Sequence, residues 1–170
     1  GEDFNEVVFD NVLVPKDRIV GEPGNGWQQV TSELAYERSG PERFLSSFRV
    51  FVELVRICGD DPSPHQAAAI GRIAAHFMTL RRMSLSVAGM LEAGKDVSVE
   101  AALVKELGNN FEKLLPEIAR LVVPDLSAVD PDKQRLFRET FEETLMLSPS
   151  FTLRGGTREI MRGVIARGLG

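Results

Sequence analysis

The chain has 170 residues, a formal net charge of −5 and 43% hydrophobic residues. That supplies one sizeable core, and the acidic balance excludes a nucleic-acid groove, which needs clustered Lys and Arg to displace counterions. The single cysteine, Cys58, excludes an internal disulfide, and no apolar run reaches the roughly 18 residues that a membrane span requires. A cytoplasmic protein with no nucleic-acid or membrane partner is therefore expected. Cys58 lies in an apolar stretch and reads as a small buried hydrophobe. The start, Gly-Glu-Asp-Phe, lacks the basic and apolar regions of a secretory signal and has no initiator methionine, so the sequence reads as a fragment or a processed chain.

In chain order, residues 4–14 are rich in Phe and Val, with Asp10-Asn11 at a turn position. This predicts two short strands, 5–9 and 11–14, ended by Pro15. A lone hairpin is marginal in water, so these strands read as the end of a β-domain missing from the sequence. After a loop at 21–26, helices are expected over 27–38 and, past Ser39-Gly40-Pro41, over 42–57. A loop at 59–64 leads into a long helix, 65–92, with Ile70, Ile73, Ala74, Phe77, Met78, Leu80, Met83, Val87 and Met90 on its apolar stripe. Gly94-Lys95-Asp96 ends it. The next helix runs from Val97-Ser98 to about Leu121, with Leu103, Leu107, Phe111, Leu114, Leu115 and Ile118 inward and a kink or new cap at Pro116. A loop at 124–131, a helix over 132–145 and a last helix after Gly155-Gly156-Thr157 complete the chain.

Long amphipathic helices with short connections predict an all-α, antiparallel up-and-down helical bundle over 25–170. A β-hairpin remnant and linker, residues 1–24, would precede it. The stripes on 65–92 and 97–121 are wider than one neighbour would cover, which points to other subunits. At the last helix, two glycines let the backbone approach a ligand, and the free N–H groups behind Thr157 suit an anion such as a pyrophosphate. The same pattern is also simply how a helix starts.

The segment Phe151-Thr152-Leu153-Arg154-Gly155-Gly156-Thr157-Arg158-Glu159-Ile160-Met161-Arg162, with the closing Leu169-Gly170, resembles the C-terminal signature of the acyl-CoA dehydrogenases. The stretch from Phe4 to Pro15, followed by Gly21-Glu22-Pro23-Gly24-Asn25-Gly26-Trp27, is similar to that family's passage from its β-domain into its C-terminal helices. Leu34-Ala35-Tyr36-Glu37-Arg38 is a third match, in the right order. Together they cover the C-terminal part of such an enzyme. The resemblance implies FAD-dependent α,β-desaturation of an acyl-CoA thioester, an electron-transfer flavoprotein or similar acceptor, and homo- or hetero-oligomers packed through the bundle. The fragment alone would be inactive. An alternative is a non-catalytic, flavin-less subunit of a hetero-oligomer.

The family's base is a carboxylate, either just before the Gly-Thr of the last motif or within Leu-x-x-Glu-Arg. The first position holds Gly155 here, so the resemblance selects Glu37 as the base. Its plainer role is a solvated acid paired with Arg38 or Arg43. Tyr36 and Arg38 match substrate-side positions, although Tyr36 reads more simply as packed in the bundle and Arg38 as a surface charge. For FAD, the resemblance points to Arg56, the pair His65-Gln66, Thr157 and Glu159. One departure stands out. Where the family has glycines that admit the adenosine, this chain has Arg120-Leu121-Val122-Val123-Pro124, which would close that approach.

Overall fold

The computed structural model describes residues 5–170; Phe4, the first residue of the N-terminal match, lies outside them. The chain divides into two compact units, Gly1–Ser32 and Glu33–Gly170.

The expected hairpin is not there. Among the described residues no strand forms, and 5–14 runs as irregular chain with Val7, Val8, Phe9 and Leu13 exposed. Asn11 does turn, at φ 49°, its side-chain amide donating to Asp10. A turn without a flanking sheet does not hold two strands together, because their remaining N–H and C=O groups find better partners in water. After Pro15 comes a single 3₁₀ turn, Lys16–Arg18. Gln29 then donates to the Val20 carbonyl across the glycine loop.

Six α-helices follow among the described residues: α1 Gly26–Ser39, α2 Phe48–Cys58, α3 Pro64–Glu92, α4 Ser98–Val122, α5 Pro131–Leu147 and α6 Arg158–Leu169. α4 is the common neighbour, packed against α2, α3, α5 and α6. α3 starts cleanly because Ser63 and Gln66 form a reciprocal cap, each side chain satisfying the other's backbone N–H. Between the middle helices, Phe77 meets the rings of Phe48 and Phe111 edge-on at 5.1 and 4.8 Å. Each such pair contributes about 1 kcal/mol beyond the area it buries. None of the helices among the described residues is long and apolar enough to cross a membrane.

Two helices differ from expectation in ways that shape the site. The helix expected over 42–57 is a 3₁₀ turn, Pro41–Arg43, then a bend, and only then α2. The bend has a cause: the Ser46 N–H donates to the buried Glu112 carboxylate at 2.7 Å instead of continuing a helical ladder. Beside it the Arg43 carbonyl sits so close to Gly108 that a Cβ there would collide with it. α4 is rotated from its expected stripe. Leu107 and Leu114 are 47% and 50% exposed, while Lys105, Asn109 and Glu112 are fully buried. The small residues Ala101, Gly108 and Ala119 share that buried side and let neighbours approach closely. Pro116 is buried within α4, which continues through it to Val122 without a new cap.

A candidate active site at the Gly155 turn

α1 ends at Ser39, whose hydroxyl donates back to the Ala35 carbonyl and whose carbonyl accepts from the Ser84 hydroxyl of α3 at 2.6 Å. Gly40-Pro41 then reverses the chain, which brings Arg43 back along the last turn of α1. Its Nε donates to the Glu37 carbonyl at 2.8 Å, and its Nη2 donates to Glu37 Oε1 at 2.5 Å. The Arg43 side chain is only 5% exposed, and that of Glu37 is 39% exposed. Glu37 Oε2 accepts no hydrogen bond among the described residues. The carboxylate is therefore anchored through one oxygen and open through the other.

The Gly155-Gly156 turn lies against this pair. Both glycines have positive φ, 65° and 102°. A methyl carbon built on Gly155 would lie 3.0 Å from Glu37 Oε1, 3.4 Å from Arg43 Nη2 and 3.4 Å from Lys105 Cε. Arg38 does not pair with the adjacent Glu37, since neighbouring helix residues diverge; its Nε donates to the Gly155 carbonyl at 3.2 Å. Partial burial lowers the Arg38 pKa, with the Glu37 charge opposing.

Behind the turn lies a charged interior that periodicity did not reveal. Glu112 accepts from Ser46 and from Arg154 Nη2, at 2.7 and 3.3 Å. Burial raises the Glu112 pKa in spite of those bonds. Glu106 Oε1 holds two arginines of α6, Arg158 at 3.1 Å and Arg162 at 3.0 Å, and so ties the last helix to α4. Lys105 is fully buried, and its Nζ has no hydrogen-bond partner. The legible signal for this interior was the spacing Lys105, Asn109, Glu112 on one face of α4; it lost out to the leucines.

No protein-family model matches the chain. Acyl-CoA dehydrogenase IpdE1 of Mycobacterium tuberculosis is 30% identical over 175 residues, covering 96% of this chain and 43% of that protein. Acyl-CoA dehydrogenase FadE29 of the same organism is 28% identical, covering 95% and 43%. Acyl-CoA dehydrogenase FadE34, also of that organism, is 25% identical, covering 98% and 22%. This chain is homologous to the acyl-CoA dehydrogenases. It spans less than half the length of the relatives it matches.

Against that family, the remaining expected residues fall into two groups. Thr157 is half-buried and precedes α6 directly behind the Gly155 turn, with Glu159 exposed in the helix's first turn. The others lie apart from Glu37, joined to its cluster by no hydrogen bond or ion pair among the described residues. Arg56 pairs with Glu53 at 2.7 Å near the end of α2. His65 is exposed, and Gln66 is fully used, its side chain capping α3 and donating to the Val122 carbonyl at 3.1 Å. That bond falls within the departing 120–124 segment, where Val122 is buried in the core. Beside it Leu121 is 69% exposed, a bulky side chain where the family resemblance has glycines. Tyr36 is 61% exposed rather than packed in the core, and lines a groove of about 420 Å³ with Leu85, Ala88 and Leu91 of α3.

Proposed function

We propose that this chain is the C-terminal helical-bundle domain of an acyl-CoA dehydrogenase that introduces an α,β double bond into an acyl-CoA thioester, with Glu37 accepting the α-proton. The observation that carries the reading is the contact between Glu37 and Gly155. The family resemblance offers two sequence positions for the base, one occupied here by Gly155 and the other by Glu37. Both open on the same small volume, since a side chain at 155 would begin 3.0 Å from Glu37 Oε1.

The chain's own residues would work as follows. Arg43 fixes the Glu37 carboxylate through Oε1 and leaves Oε2 to take the proton. Arg38 braces the Gly155 carbonyl, so the turn and the base keep a common position. Tyr36 and the groove beside it, at the end of α1 that also carries the base, offer an apolar lane for part of an acyl chain. Flavin, if bound, would supply the acceptor for the β-hydride; Thr157 and Glu159 are the residues that the family resemblance offers to hold it. Exposed Leu107, Leu114 and Leu121 on α4, seven residues apart, support oligomer formation through this bundle. The homologues' longer chains would contribute the rest of the substrate site.

The test uses the full-length protein. It should purify with bound flavin and reduce an artificial electron acceptor when given acyl-CoA. Colourless protein that shows no acyl-CoA-dependent reduction would refute the reading.

A further inference from the structure

We propose that Lys105 makes the Gly155 turn a receptor for an anionic oxygen of the carboxylate or enolate kind, by holding a positive charge without an ion-pair partner directly beneath it. The argument starts from charge. Four cations, Arg38, Arg43, Lys105 and Arg154, lie among three carboxylates, Glu37, Glu42 and Glu112, in a chain whose overall charge is −5. Arg43 is matched by Glu37 and Arg154 by Glu112. Arg38 spends its Nε on the neutral Gly155 carbonyl, and Lys105 Nζ bonds to nothing. The adjacent Glu106 compensates Lys105 only in part: its charge supports the ammonium, but its Oε1 is shared by Arg158 and Arg162 of α6 and neither of its oxygens bonds Nζ. Arg38 and Lys105 are thus the two cations around the turn without a direct ion-pair partner.

Leaving an ammonium unpaired inside a fold is unfavourable, and an apolar side chain of similar volume would normally serve α4 better. The arrangement makes sense if the missing counter-charge arrives from outside. Lys105 Cε is 3.4 Å from the Cβ position of Gly155, so an anion lodged at the turn acts on it at short range. In its absence the charge is weakly held. Burial first, then Arg43, bring the Lys105 pKa down to about 8; Glu106 opposes, and Arg38 and Arg154 add to the fall. An arriving anion reverses that balance, so its binding above about pH 8 draws a proton onto Lys105. This inference uses the same turn as the desaturase reading but needs no desaturation.

The experiment follows Lys105 in full-length protein labelled with [ε-¹³C]lysine, its signal assigned by Lys105→Arg. The pH titration is run with no ligand, with acetate, with 3-oxobutanoyl-CoA, which ionises to an enolate, and with inorganic phosphate. Acetate and 3-oxobutanoyl-CoA should each raise the midpoint by about one pH unit, the effect of a close opposite charge. Calorimetry of acetate binding to the unsubstituted protein in two buffers of different ionisation heat should show matching proton uptake and needs no variant to fold; 3-oxobutanoyl-CoA, which releases a proton as it ionises, should show correspondingly less. Lys105→Met should bind 3-oxobutanoyl-CoA about tenfold more weakly while binding the non-ionising butanoyl-CoA as before. An unmoved midpoint with acetate and 3-oxobutanoyl-CoA, or a response to phosphate alone, overturns the proposal. Protein that fails to desaturate acyl-CoA yet shows the acetate-linked shift would refute only the desaturase reading.

Discussion

Replacing Gly155 by Ala tests the close approach on which the site is built. Two costs are expected. The first is conformational: at φ 65° an L-residue with a Cβ is disfavoured by about 1 kcal/mol. The second is crowding, since the new carbon would sit 3.0 Å from Glu37 Oε1 and 3.4 Å from both Arg43 Nη2 and Lys105 Cε. Glu37 cannot swing away freely while Arg43 holds it. Overpacking of this kind costs about another 1–2 kcal/mol. Gly59 provides a matched control, with φ 67° and no atom within 4 Å of its Cβ position. Urea and thermal unfolding followed by far-UV circular dichroism should give a loss of about 1 kcal/mol for Gly59→Ala and about 2–3 kcal/mol for Gly155→Ala. That excess corresponds to a further Tm drop of roughly 3–6 °C. In a double-mutant cycle, Glu37→Ala should relieve the excess and give a coupling of about 1 kcal/mol, with the loss of Arg43's partner cancelling between the arms. Equal costs at the two glycines would refute the packing of Glu37 against the turn.

Other consequences follow from the same geometry. Ser63→Ala breaks the α3 cap and should cost about 1 kcal/mol without altering ligand binding, as denaturant unfolding and calorimetry would show. Glu106→Gln releases Arg158 and Arg162, so amide exchange should speed up selectively in α6 and stability should fall by about 1–3 kcal/mol. Burial pushes the Glu106 carboxyl up, but bonds from Arg158, Asn110 and Arg162 bring it below its usual value. Its contribution is thus present above the ordinary carboxylate range and lost as pH falls through the lowered value; the variant should flatten that acid limb. Lys105 works in the opposite sense. Its folded pKa of about 8 lies below the ordinary 10.5, so the unfolded chain binds more protons between the two. Stability should rise over that interval, and Lys105→Met should abolish the rise in urea titrations at successive pH values.

Helix positions were largely readable because a 3.6-residue apolar period is a local property. The helix expected over 65–92 is α3, Pro64–Glu92, and the Gly-Gly-Thr start of α6 lies where the motif puts it. What failed depended on partners distant in sequence. Val7, Val8 and Phe9 have strand-forming side chains, yet no sheet among the described residues meets them. The bend at 44–47 is set by Glu112, sixty-six residues beyond Ser46. A stripe count chose Leu107 and Leu114 as the inward face of α4, but burial on a helix with four neighbours goes to whatever those neighbours can neutralise or pack against. Of the two arginines that the sequence offered to Glu37, Arg43 takes it because the Gly40-Pro41 reversal brings it back, while Arg38 points to Gly155.

The most direct measurement is acyl-CoA-dependent acceptor reduction by the full-length protein carrying Glu37→Gln, alone and combined with Gly155→Glu. The single variant should lose about 10²- to 10⁴-fold in rate, the contribution of a positioned base. The double variant should recover part of that loss, because the new carboxylate grows from the point 3.0 Å from Glu37 Oε1. A Glu37→Gln enzyme that turns over at the parent rate would contradict the account.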